Sequence, residues 1–172
     1  MAAHALSTDM PQAVSPEQFK GVMRRLGSSV AVITSRHDAR VNGMTATAVC
    51  SVSADPPSLL VVVNRANASH AMIRHGQAFA VNLLSHSQSD LAEKFARRTP
   101  DPFSGVPHTL GVTGCPLLED CSGSLECTVV QETEVGTHTI FIGHVVCAKI
   151  GVAPPLLYHE GAYHALSALK HA

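Results

Sequence analysis

The residues with the clearest chemical promise in this chain are small ones. From Asn42 to Ser53 the sequence reads Asn-Gly-Met-Thr-Ala-Thr-Ala-Val-Cys-Ser-Val-Ser. Met44, Ala46, Ala48, Cys50 and Val52 share one parity, and Thr45, Thr47, Ser51 and Ser53 the other, with Val49 the exception. A period of two describes a strand with one apolar and one hydroxyl-bearing face. Side chains this small let a flat ligand lie close to the backbone, within reach of peptide N–H and C=O groups. The same pattern also describes an ordinary barrel strand packed on a helix.

Two further positions could bind a ligand. Asn67-Ala68-Ser69-His70 opens a helix, where free N–H groups together with Asn and Ser side chains can hold a phosphate. Plain capping by Asn67 explains the same residues. Arg65 could add positive charge there or remain a solvated surface residue. His138 lies in a connection between two long β segments, a usual place for binding groups, though also for a solvated turn histidine.

Other chemistries find less support. Cys50 has no base nearby in sequence and no nucleophile elbow around it. Cys115, Cys121 and Cys127 are evenly spaced but match no common zinc pattern. His159, Glu160 and His164 form the one grouping that suggests a metal-dependent hydrolase. Neither a Gly-x-Gly-x-x-Gly fingerprint nor a phosphate-loop pattern occurs. Lys94-Phe95-Ala96-Arg97-Arg98 places cations at a helix C-terminus, which is favourable without any function.

Bulk properties set the class. The chain has 172 residues, which suits one domain. Its formal net charge of -1 gives no footprint for nucleic acid or an anionic membrane. An odd count of five cysteines, with no Cys-x-x-Cys pair, fits reduced thiols and a cytoplasmic location. Met1 to Val14 has no basic region followed by an apolar run, so no signal peptide is expected. Apolar runs such as Leu59 to Val63 are too short to span a bilayer.

The elements that must position these residues follow from local signals. Residues 1–14 read as a mobile tail, and residues 15–172 as a single domain. Ser15, Pro16 and Gln18 make a capping box, and Phe19, Val22, Met23 and Leu26 form an apolar stripe expected to pack in the core before Gly27 ends the helix. Strands are expected over 30–35, 41–53, 58–63, 78–84, 117–134 and 139–151, and helices over 67–75 and 88–98. Residues 99–116 read as a long loop, and 158–166 as a short tail of open form. Six or so strands with two or three helices, and no regular alternation, favour an antiparallel barrel with helices covering its ends.

Taken in order, these pieces resemble the short-chain flavin reductases, the small component of two-component flavin-dependent monooxygenases. The resemblance runs from Phe19 to Leu166. It rests on Gly43 to Ser53, Pro56-Pro57, Asn67-x-Ser69, Val81-Asn82-Leu83-Leu84, Lys94-Phe95-Ala96, Gly136-Thr137-His138 and Tyr158-His159-x-Gly161-x-Tyr163. Gly114-Cys115-Pro116-Leu117 and Tyr163-His164-Ala165-Leu166 are similar to the branch serving pyrimidine ring-opening.

The resemblance implies a mainly β protein, an antiparallel split β-barrel of the FMN-binding type, assembled as a homodimer. It implies FMN or FAD as flavin, NADH or NADPH as reductant, and a monooxygenase partner that receives reduced flavin by diffusion. By position, Thr45, Ala46 and Thr47 would border the flavin ring, and Cys50, Ser51 and Val52 would offer backbone groups to its polar edge. Asn67 and Ser69 would hold the phosphate or ribityl chain, Lys94 and Phe95 would close the other side, and His138 would touch the nicotinamide. Many members of the family carry Asp where this chain has Thr137, so a carboxylate that could orient His138 is missing. A non-catalytic flavin- or haem-binding split-barrel protein is the alternative reading.

Overall fold

The β-branched run from Val30 to Ser35 is buried on both faces, Ala31, Val32, Ile33, Thr34 and Ser35 being fully so. It forms strand β2 (Ala31–His37), preceded by the two-residue β1 (Ser28–Ser29). Such a run needs cover on both sides, and the computed structural model, which describes residues 12–168, shows what supplies it. Strands β3 (Arg40–Ala46), β4 (Val49–Ala54), β5 (Pro57–Asn64), β6 (Ala78–Leu83), β9 (Gly123–Val135) and β10 (His138–Ile150) join β2 in one sheet of order β3-β2-β6-β9-β10-β5-β4. Every pairing within it is antiparallel.

The two edge strands, β3 and β4, are consecutive in the chain and separated only by Thr47 and Ala48. So short a link forces the ends of the sheet together, and the sheet curls into a barrel that stays split where β3 and β4 fail to pair. The fold is therefore a mainly β, antiparallel split barrel. The single strand expected over 41–53 is two strands on opposite lips of that split. Its alternation ran through the break because both lips are extended.

Inside the curl, Ile33, Val61, Val63, Phe79, Val81 and Phe141 form one buried cluster. Truncating either phenylalanine to alanine would cost about 3–5 kcal/mol. Close packing dictates Gly143, where an added Cβ would sit 2.7 Å from the Cys127 Cβ and 2.8 Å from the Phe79 ring. The β9/β10 ladder shifts register at two bulges, whose extra residues Val130 and Val146 are both exposed.

A second cluster lies on the outer face. Val30, Val32, Leu84 and Leu156 pack there with Ala92 and Phe95 of helix α3 (Ser89–Ala96), and with Phe103, Val106 and Leu118. The stretch expected as a bare loop over 99–116 holds the small hairpin β7 (His108–Leu110) and β8 (Pro116–Leu118). Buried Glu126 holds its connection, accepting from the Thr113 N–H and hydroxyl at 2.8 Å each.

Helix α1 (Pro16–Met23) has the expected capping box, with Gln18 N–H donating to Ser15 Oγ and Ser15 N–H to Gln18 Oε1. Its stripe corrects the expectation of core packing. Phe19 is 58% and Val22 73% exposed, because no residue of the helix is buried against the body and the chain at its end is tied to the C-terminal segment. That segment is a hairpin, β11 (Leu156–His159) and β12 (Ala162–Ala165), around Glu160 and Gly161 at positive φ. Here β1 pairs with β11, Glu160 N–H donates to Arg24 O at 3.1 Å, and Arg25 pairs with Glu160 at 2.6 Å. Of the tail expected over 1–14, residues 1–11 lie outside the described residues. No helix among the described residues is long and apolar enough to cross a membrane.

Candidate functional site

The two lips of the split barrel frame an open slot of about 360 Å³. Met44, Thr45 and Ala46 of β3 and the link Thr47-Ala48 form one side. Val62 and Asn64 of β5, His138 of β10, and the C-terminal tyrosines Tyr158 and Tyr163 complete it. The tyrosine rings meet edge-on at 5.5 Å. Burial, with Glu93 and Tyr158 assisting, pushes the Tyr163 phenol above its ordinary pKa, so it stays a neutral donor. Thr45 spends its hydroxyl on α3, donating to Ala92 O at 2.6 Å.

A second cavity, about 350 Å³, adjoins the slot at Ala96. Asn42, Asn67, Arg97 and Arg98 line it, over a floor that includes Gly43 and Phe95. It opens at the N-terminus of helix α2 (Ala68–Gly76). Asn67 is the N-cap, its Oδ1 accepting from Ser69 N–H at 2.9 Å, which leaves its amide NH₂ for a ligand. Arg98 reaches across to donate to Ala66 O at 3.2 Å. A helix N-terminus, an amide donor and the Arg98 guanidinium together suit a phosphate, while Arg97 pairs with Glu93 at 3.3 Å.

Sequence reasoning and structure part at several residues. Ser69 does not face this cavity. It is fully buried, because the cap turns it inward, and its Oγ accepts from Asn42 Nδ2 at 2.8 Å. Lys94 points along the outer side of α3 and donates to Ser104 O, beside a shallow surface hollow shared with Asp90 and Glu93. Phe95 is a core residue, 3% exposed, whose ring would lie 2.7 Å from a Cβ added at Gly43. Cys50, Ser51 and Val52 stand on β4, outside the slot walls, and are exposed. Only one edge of β4 is paired, so backbone N–H and C=O groups on the other are open. Arg65 is occupied with Glu134 at 3.2 Å and Gly136 O at 2.7 Å, so it braces the turn before His138 instead of facing the phosphate-type cavity.

His138 is half-buried at the slot, and the Thr137 hydroxyl lies 2.9 Å from its Nδ1. The hydroxyl can therefore orient the ring in place of a carboxylate. Gly136 precedes Thr137 at a φ of 56°, the first position of a tight hairpin turn.

Sequence reasoning missed Asn42, Asn64, Val62, Arg97 and Arg98, and gave no role to Tyr158 and Tyr163. The arginines follow Lys94-Phe95-Ala96 directly, but a helix C-terminus explained them fully. Burial raises Cys127 to about 12 and Cys121 to about 11, and raises Cys115 as well, so none of these is an activated thiol. Among the described residues no group of three or more His, Cys, Asp or Glu could hold a metal.

Known proteins are similar to this chain in sequence and fold. The family model described as "Flavin reductase like domain" matches residues 23–167. An FMN reductase (NADH) RutF of Bradyrhizobium diazoefficiens is 33% identical over 156 residues, covering 89% of this chain and 87% of its own. The reductase component of a 4-nitrophenol 4-monooxygenase/4-nitrocatechol 2-monooxygenase from Rhodococcus opacus is 34% identical, covering 95% and 88%. The NADH:FAD oxidoreductase SgcE6 of Streptomyces globisporus, solved with NAD and FAD fragments, superposes with a TM-score of 0.86 at 30% identity, covering 94% of this chain and 100% of its own. With the family model, the sequence identities and the fold in agreement, the chain belongs to the flavin reductase like domain family.

Proposed function

We propose that this protein is an NADH:flavin oxidoreductase that reduces FMN or FAD and releases the reduced flavin to a separate monooxygenase. The observation that carries this reading is the slot between the barrel lips, walled by Thr45 to Ala48 and joined at Ala96 to a cavity with phosphate-binding chemistry. The redox chemistry, hydride from nicotinamide C4 to flavin N5, would be supplied by the two ring systems when bound.

The chain's own residues hold and orient. Ala46, Ala48 and Val62 give the slot apolar walls for a planar ring. The amide NH₂ of Asn67, the α2 N-terminus and Arg98 bind the phosphate end. His138, set by Thr137, positions the nicotinamide. No side chain need give or take a proton in the hydride step, which fits a slot lined by Thr, Ala, Val and Tyr. NADH as donor is supported by the names of the relatives, and a monooxygenase partner by that of the Rhodococcus opacus protein.

A homodimer in the cytoplasm completes the reading. Phe19, Val22, Val130 and Val146 are exposed apolar side chains that a second copy would cover, and the five cysteines are all free. Purified protein should oxidise NADH only when FMN or FAD is added. NADH oxidation at the same rate without flavin, or none with it, would overturn the reading.

A further inference from the structure

The turn from which His138 enters the slot is held from outside by charge. Gly136 and Thr137 form that turn, between Val135 at the end of β9 and His138 at the start of β10. Asn64, the last residue of β5, pairs with His138. The next residue, Arg65, continues that edge, its backbone N–H donating to Thr137 O at 3.0 Å. Its guanidinium reaches over the turn, where Nη2 donates to Gly136 O at 2.7 Å and Nη1 to Glu134 Oε2 at 3.2 Å. The other oxygen of Glu134, Oε1, accepts from Arg74 Nη2 at 2.8 Å. One carboxylate thus joins a guanidinium at the end of β5 to one on helix α2. Hydrogen bonding to Arg74 holds the Glu134 carboxyl below its ordinary pKa, so it stays charged at neutral pH.

The two arginines are not equivalent. Arg74 also pairs with Glu132, at 3.1 and 3.2 Å, and helix α2 is tied to β10 by His70 and Thr139 as well. The helix therefore keeps its place without Glu134. Arg65 has no second carboxylate partner among the described residues. Without Glu134 its guanidinium is fixed at one point, the Gly136 carbonyl, and can swing on a half-exposed side chain. Resting on the functional reading above, in which His138 positions the nicotinamide, we infer that Glu134 is a positioning residue for His138: it aims Arg65 at the Gly136 carbonyl, and Arg65 fixes the turn that sets the imidazole. Glu134 lines neither the slot nor the second cavity, so its effect passes through the turn. An ion pair this exposed adds little to folding stability, so its loss is felt in the geometry of the turn and not in the fold.

The test is a double-mutant cycle read in NADH kinetics. Glu134→Ala should raise the KM for NADH about three- to tenfold, while kcat and the Kd for FMN stay within about twofold. Arg65→Ala should do the same, and Arg65→Lys, which keeps the charge, should recover part of the loss. The double variant should be no worse than the worse single one, because the two residues act as a unit. Glu134→Gln, which keeps the shape without the charge, should fall between wild type and Glu134→Ala. The gap between wild type and Glu134→Ala should narrow in about 0.5 M salt, which screens half-exposed pairs. An unchanged KM for NADH in both Glu134 variants, multiplied effects in the double variant, or an FMN Kd that rises as far as the NADH KM would overturn the inference. A His138→Ala variant with an unaltered KM for NADH would instead overturn the functional reading beneath it.

Discussion

His70 Nε2 lies 2.8 Å from Thr139 Oγ1, a bond between two buried groups that ties helix α2 to strand β10 one residue from His138. The helix that opens the second cavity and the strand that carries His138 are thus held as one piece. His70 also rests on Phe141, with ring centroids 5.4 Å apart.

Burial, followed by the nearby Arg74 guanidinium, lowers the His70 pKa from its ordinary value of 6.5, while Glu132 and Glu134 partly oppose the shift. The folded state therefore favours neutral His70 more than the unfolded chain does. Its contribution to stability is complete above about pH 6.5 and is lost as pH falls through the lowered folded value. Urea midpoints measured over about pH 8 to 5, the range of histidine titration, should fall on acidification, and the fall should shrink in His70→Gln. An identical pH profile in the variant would remove His70 as its source.

Gly43→Ala tests the floor of the phosphate-type cavity. The added Cβ would sit 2.7 Å from the Phe95 ring and 3.3 Å from Val32 Cγ1, so Phe95 must move. We expect a loss of about 1–3 kcal/mol in stability, typical of overpacking, together with weaker FMN binding by fluorescence titration. Unchanged values for both would mean the floor is softer than its packing indicates.

Arg98→Ala should raise the Kd for FMN about tenfold and leave riboflavin, which has no phosphate, almost unaffected. Equal losses for the two flavins would place Arg98 at the ring and not at the phosphate.

Thr137→Val removes the hydroxyl 2.9 Å from His138 Nδ1. Freed from its partner, the imidazole should position nicotinamide less well and raise the NADH KM about three- to tenfold, with a smaller change in the FMN Kd. His138→Ala should show the same split, more strongly. Flavin affinity falling as far as NADH affinity would shift His138 to the flavin side.

How much of this was legible in the sequence depends on whether the signal was local. The Ser15–Gln18 box and the Asn67 cap were, because both bond to residues a turn away. The small residues Thr45 to Ala48 were, because a narrow site needs them wherever it lies. The fate of Phe19 and Val22 was not, since a helical stripe gives no sign of what covers it. Nor was the break at Thr47-Ala48, as lips on either side of a split share the same extended backbone. Ser69 and Lys94 follow one rule from opposite directions. Each sits in a motif beside the site, yet the turn of its helix aims Ser69 into the protein and Lys94 away from the slot. Arg97 and Arg98 were hidden by a sufficient local explanation.

The pairing of Ser28 with Tyr158 has a practical corollary. It sets the first strand of the domain beside β11 of the C-terminal hairpin, at the mouth of the slot that Tyr158 lines. Separating β1 from β11 would therefore release Tyr158, and with it one wall of the slot, so this two-residue ladder sets how widely the slot stands open.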